Sequence, residues 1–306
     1  MTVRSCWLRQ NPAYRPGGSR LLRRLAGATL GVLLVGGCAP RVPEQVIKAP
    51  APVVAPLPDL PVAWAPRPTL VAREYQVEQR ALVTTTTDSG ARDDSVSLHV
   101  SASVRNTLDR GVAGLVRGVT VGAPGAAAQP LPGVTFPYAF AASASVRGLE
   151  APLVLSAAGD GNACVSPAQS VLGALRDLVF RVPDSLSVGV QWADSSSVAT
   201  CRDGVPLDIR SLRTFRVVRY ERRGDRDVVL VDRTMQTSVR GESVRGDDTT
   251  RVEGSGRGSL RYEIDPLTGD VESATGSATL DLGVRGRVRS ERALQSSAVR
   301  IVRRVQ

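Results

Sequence analysis

Between Ser95 and Val104 the chain alternates without an error. Val96, Leu98, Val100, Ala102 and Val104 fall on one face, and Ser95, Ser97, His99, Ser101 and Ser103 on the other. Successive side chains of a strand point to opposite faces, so this period of two predicts a strand with one buried and one wet face. The pattern recurs. Val134, Phe136, Tyr138, Phe140, Ala142, Ala144 and Val146 alternate across residues 133–147, where Pro137 marks an edge or a bulge. Gly276, Ala278, Leu280, Leu282 and Val284 share one face of a strand over 271–288. Shorter runs predict strands at 74–86, 151–156, 186–192, 212–220, 227–234, 256–264 and 299–305. Residues 88–94 read as a loop, 159–162 as a turn, and 265–270 as a hairpin turn built on Pro266 and Gly269. The stretch 111–133 is rich in glycine and alanine and only weakly periodic.

One helix interrupts the strands, at 167–180. Ser166 can cap it, Pro167 suits the first turn and Gln169 completes a capping box. Val171, Leu172, Leu175, Leu178 and Val179 form its apolar face, and Pro183 lies just beyond. The expected fold is mainly β: an antiparallel barrel or half-barrel with one central helix. Alanine and glycine at inward positions of the long strands leave space between layers, which the helix or a ligand would fill.

The N-terminal region is of another kind. Arg20, Arg23 and Arg24 precede a short apolar run that ends in Val35-Gly36-Gly37-Cys38, and no acidic residue occurs before Glu44. From Leu25 to Gly37 the run is thirteen residues, short of the roughly 20 that a helical span requires. Its charged start, apolar middle and small residues before a break are those of a secretory signal. The segment Val35-Gly36-Gly37-Cys38 resembles the lipobox of bacterial lipoproteins. The resemblance implies cleavage before Cys38 and a lipid on its thiol, the membrane being the partner of that lipid. Ala39 stands where inner-membrane lipoproteins carry an aspartate, which by the same resemblance implies the outer membrane of the cell envelope. Residues 39–68 are dense in proline and read as an extended tether. The expected organisation is therefore signal 1–37, lipidated N-terminus and tether 38–68, and β domain 69–306.

Charge argues against a nucleic-acid partner. The chain carries 39 basic and 29 acidic residues, a net +10, but six of the arginines belong to residues 1–37. Without them the balance is 33 to 29, or +4, with arginine interspersed among aspartate and glutamate.

Candidate sites are few. Past the signal region and Cys38, only Cys164 and Cys201 remain, and in an oxidising compartment they predict one disulfide. A metal pair lacks partners, because His99 is the sole histidine and neither cysteine sits in a C-x-x-C. A serine triad would have to use His99, which lies among serines on a polar strand face, and no G-x-S-x-G elbow is present. Asp93-Asp94, Asp247-Asp248 and Asp160-Gly161-Asn162 are acidic turns without calcium-loop spacing. Arg223-Gly224-Asp225 and Arg245-Gly246-Asp247 read as hairpin tips. No enzyme, no cofactor and no metal is expected.

Two segments resemble uncharacterised exported bacterial lipoproteins: Pro183 to Trp192, of the form P-x-x-x-x-V-G-x-x-W, and the hairpin Tyr262 to Val271. The layout is also similar to the LolA/LolB group, whose incomplete barrel holds acyl chains under a helical lid. This resemblance implies an envelope protein that binds an apolar ligand, such as a lipid, in its concave face. The alternative is an envelope structural or protein-interaction module with a solid core.

Overall fold

The computed structural model describes residues 63–107, 111–123, 126–144, 152–157, 164, 167–287 and 290–304. The signal run, Cys38, most of the tether, the turn at 159–162 and Ser166 lie outside the described residues, as do the side chains of Pro167 and Gln169.

Twelve strands form one sheet. In chain order they are β1 Arg73–Thr87, β2 Gly90–Asn106, β3 Val112–Gly122, β4 Gln129–Pro130, β5 Tyr138–Ala144, β6 Leu153–Ala157, β7 Gln191–Arg202, β8 Val205–Arg223, β9 Arg226–Arg245, β10 Asp248–Ile264, β11 Val271–Arg285 and β12 Ser290–Arg304. Helix α1, Pro167–Leu175, separates β6 from β7. Setting aside the two-residue β4, which adds to β3, the remaining strands close a ring: β12 pairs with β1, β1 with β2, and β2 with β3. The barrel is closed, not a half-barrel, and it is mixed. Every junction is antiparallel except β6–β7, which is parallel over Leu153↔Ser196, Val154↔Ser197 and Leu155↔Val198.

That exception follows from the strand count. Antiparallel neighbours reverse direction, so a wholly antiparallel ring needs an even number of strands. An odd ring closes only through a parallel junction, and a parallel junction requires a crossover. Here the crossover carries α1 into the interior, where Val171, Leu172 and Leu175 are completely buried. They share one core with Val77, Val100, Phe140, Leu155, Phe215, Tyr262 and Ile301 from around the wall. A second, smaller core lies towards the other end: Val205, Leu207, Val239, Val252, Leu282, Val284 and Ala293.

Several elements differ from the sequence expectation. The helix ends at Leu175 and tightens into a 3-10 turn at Arg176–Leu178, instead of running to Phe180. Arg213 takes the carbonyls of Arg176 and Val179, and the Tyr262 hydroxyl takes that of Asp177, so tertiary bonds replace the next helical turn. β5 starts at Tyr138, directly after Pro137, which has no N–H for the ladder. β2 starts at Gly90, opposite Thr87, so only Asp88 and Ser89 form the loop. Leu186 makes a single bridge, and the strand proper begins at Gln191, beyond Gly189 with its φ of 90°. The weakly periodic stretch holds β3, in full register with β2 apart from one bulge at Ser101/Ala102.

The glycines of β10 and β11 act otherwise than as makers of space. A Cβ on Gly276 would stand 2.0 Å from the Ser259 carbonyl oxygen, and one on Gly256 would stand 2.5 Å from that of Thr279. These positions are where neighbouring backbones crowd each other.

Candidate functional site

The most unusual chemistry lies inside the barrel. Arg213 of β8 and Arg233 of β9 are both fully buried, at positions in phase with the apolar residues of their strands. Arg213 makes a two-pronged pair with Asp194 of β7, at 2.6 and 2.8 Å. Asp194 also accepts the Arg181 N–H at 3.0 Å. Arg233 pairs with Asp177 in the 3-10 turn. Burial pushes the Asp177 carboxyl up, but the charges of Arg233 and Arg176 outweigh it and hold the group below the usual carboxylate range. Burial pushes the Tyr262 hydroxyl up, so it stays a neutral donor to the Asp177 carbonyl at 2.9 Å.

Aromatic rings complete this layer. Trp192 stacks on Phe215 at 4.9 Å, Phe180 on Phe215 at 5.2 Å, and Phe180 meets Tyr262 at 5.0 Å. The Trp192 indole N–H donates to the Arg181 carbonyl at 2.7 Å. The arrangement binds the crossover to four strands of the wall, β7 to β10. It presents no nucleophile beside a base, so its chemistry is structural. Only the parity of Arg213 and Arg233 among buried neighbours marks them in the sequence.

The sequence-derived candidates are dispersed. His99 sits on the outer face of β2, half-exposed and 4.0 Å from Glu78. Asp93 accepts from Thr84 at 2.7 Å, and Asp94 pairs with Arg92. Asp248 accepts the Arg287 N–H at 3.0 Å. Asp160-Gly161-Asn162 lies outside the described residues. Gly224 and Gly246, at φ 65° and 59°, turn the β8–β9 and β9–β10 hairpins, as expected of the two Arg-Gly-Asp tips. Cys164 and Cys201 form a disulfide, with their Cα atoms 4.8 Å apart. Among the described residues no group of three or more histidine, cysteine or acidic side chains could hold a metal, and no helix is long and apolar enough to cross a membrane.

One feature was hidden in the tether. Residues counted with it already bond to the barrel: Trp64 exchanges backbone hydrogen bonds with Leu186 and stacks on Tyr220 at 5.2 Å. Arg67 donates its N–H to the Leu267 carbonyl at 2.8 Å; just past the tether, Asn106 donates to the Thr69 carbonyl at 3.4 Å.

The outer wall is polar. β10 turns Arg251, Glu253, Arg257 and Arg261 outwards, and ion pairs such as Arg261–Asp232 and Arg292–Asp281 cross between strands. This reverses a membrane-spanning barrel, whose outward side chains form an apolar band. A surface depression of about 440 Å³ adjoins the short β6–β7 junction, lined by Pro152, Ser195, Ser196, Leu212 and Gln236 among others.

No family model matches the chain, and no curated protein matches it. Among solved structures, OccK2 (OpdF) of Pseudomonas aeruginosa is similar at a TM-score of 0.24 and 8% identity, over 76% of this chain and 98% of that one. A loop L8 deletion mutant of OmpT, an outer membrane protein of Vibrio cholerae, is similar at a TM-score of 0.17 and 10% identity, over 76% of this chain and 99% of that one. The likeness is that of one β-barrel to another, and nothing is carried from either protein to this chain.

Proposed function

We propose that this chain is a lipid-anchored protein of the bacterial cell envelope, without enzymatic activity, whose barrel is a solid protein-interaction module. The filled interior carries this reading. α1, the stacked aromatic rings and two buried ion pairs occupy the space that an acyl-chain carrier would keep for its cargo. Recognition then belongs to the outer surface. The anchor is Cys38, on the resemblance of its preceding residues to a lipobox.

Mass spectrometry of the mature chain, intact and after solvent extraction, tests both parts. The expected result is acylation at Cys38 and no other apolar molecule. A stoichiometric lipid in the barrel would overturn the solid-module reading in favour of a carrier. An unmodified Cys38 would overturn the anchor.

A further inference from the structure

The strap at 63–72 enters the fold at one end of the barrel, and that end differs from the rest of the surface. It is formed by the start of β1, the end of β2, the β8–β9 turn, the β10–β11 turn and the end of β12. Four exposed apolar side chains belong to this end: Leu70 at 51% and Val71 at 59% on the strap, Val188 at 51% and Leu267 at 72% on the segments it meets. Backbone bonds tie the strap to those two segments. Trp64 bridges Leu186, two residues before Val188, and Arg67 bonds to Leu267 itself. Gly269, with φ 74°, lets the β10–β11 turn close against Pro66 and Val182, which sets Leu267 at the rim. Elsewhere the exposed apolar residues stand among polar ones: Leu212 of β8, for example, lies in register between Ser195 and Gln236.

We infer that this rim is the lipid-facing surface of the protein, its four apolar side chains entering the interfacial layer of the membrane that holds Cys38. The inference rests on the anchor reading above. The described chain begins at residue 63 and is bonded to this rim through Trp64 and Arg67, so the covalent connection to Cys38 joins the barrel at its apolar end. The occupant is therefore the bilayer. A tethered domain that already sits near the surface needs only a small apolar area to hold it there, because the anchor supplies the local concentration. Among the described residues, the opposite end, with its turns at Asp88, Asp203 and Asp247, exposes Val244 but no group of such side chains.

The test uses the mature lipidated chain in phosphatidylethanolamine–phosphatidylglycerol vesicles, with a nitroxide on Leu267→Cys or, at the far end of β9, on Val244→Cys. The native Cys164–Cys201 disulfide does not compete for the label. Oxygen and a water-soluble nickel chelate are the relaxing agents. The expected result is that vesicle binding raises oxygen access and lowers nickel access at 267, and leaves 244 aqueous. A chain anchored in the vesicles with an aqueous label at 267 overturns this inference alone. A label at 267 shielded from both agents means that protein covers the rim, and overturns it equally. A chain that does not float with the vesicles overturns the anchor reading, and this one with it.

Discussion

The barrel wall is built in two ways. From β8 through β12 and, across the pairing of β12 with β1, on into β1 and β2, it is a meander of strands 15 to 20 residues long. From β4 to β7 the strands are 2, 7, 5 and 12 residues long, and one junction is only a short parallel contact. The long arc is held by its own ladders and by glycines that let strands crowd. The short arc is held from within, by the helix, the buried ion pairs and the disulfide. Register alone suffices where neighbours in sequence are neighbours in space; where they are not, side chains reaching across the interior take over.

The largest effect should come from removing that internal hold. Arg233→Met strips Asp177 of its buried partner and should cost about 3–5 kcal/mol, read by urea unfolding. Adding Asp177→Asn should recover most of the loss. A change near zero in the single variant would mean that the short arc holds itself. The double variant Cys164→Ser, Cys201→Ser should cost roughly 4 kcal/mol on the chain-entropy model. Amide exchange should then quicken in β6, α1 and β7 and not in β9–β11. Equal quickening would make the wall one cooperative unit.

The same internal pair gives a pH signature. The Asp177 carboxyl is held below its ordinary value, near 4. Its contribution is therefore complete above that value and fades as the pH falls below it. Acid unfolding of the wild type should show this loss, and the Asp177→Asn, Arg233→Met variant should lack it. In the long arc, Gly276→Val must push against the Ser259 carbonyl and should cost about 1–3 kcal/mol, with no selective opening of the short arc. Smallest of all, Arg292→Ala on the outer face should change stability by less than about 1 kcal/mol, and less again in high salt.

Much of the long arc was legible because a half-buried strand writes its burial into the chain. The alternation of Ser95–Val104 and the Pro266–Gly269 turn appear where expected. The short arc was harder to read. β3 hides in a glycine- and alanine-rich stretch, where small side chains carry too little contrast for a period to show. The helix overran because Leu178 and Val179 keep helical phase, while the bonds that end it come from Arg213 and Tyr262, which lie far along the chain. In a sequence rich in arginine, the buried Arg213 and Arg233 are set apart only by their phase with apolar neighbours. The docking of Trp64 was obscured by its prolines, which favour an extended chain whether or not it lies against a surface.

The pairing of β1 with β12 along Glu74↔Arg304 to Thr87↔Glu291 joins the first strand of the domain to its last. A chain made from its N-terminus must therefore hold β1 with one edge unpaired until β12 has been made. During that interval the edge is open to any other strand, including that of a second copy. The ring thus closes last at this seam, and its two outermost strands are the natural place to join the ends and cut the chain anew elsewhere. A permuted protein with its termini at the Asp203–Gly204 turn, between β7 and β8, would complete its long arc before its short arc.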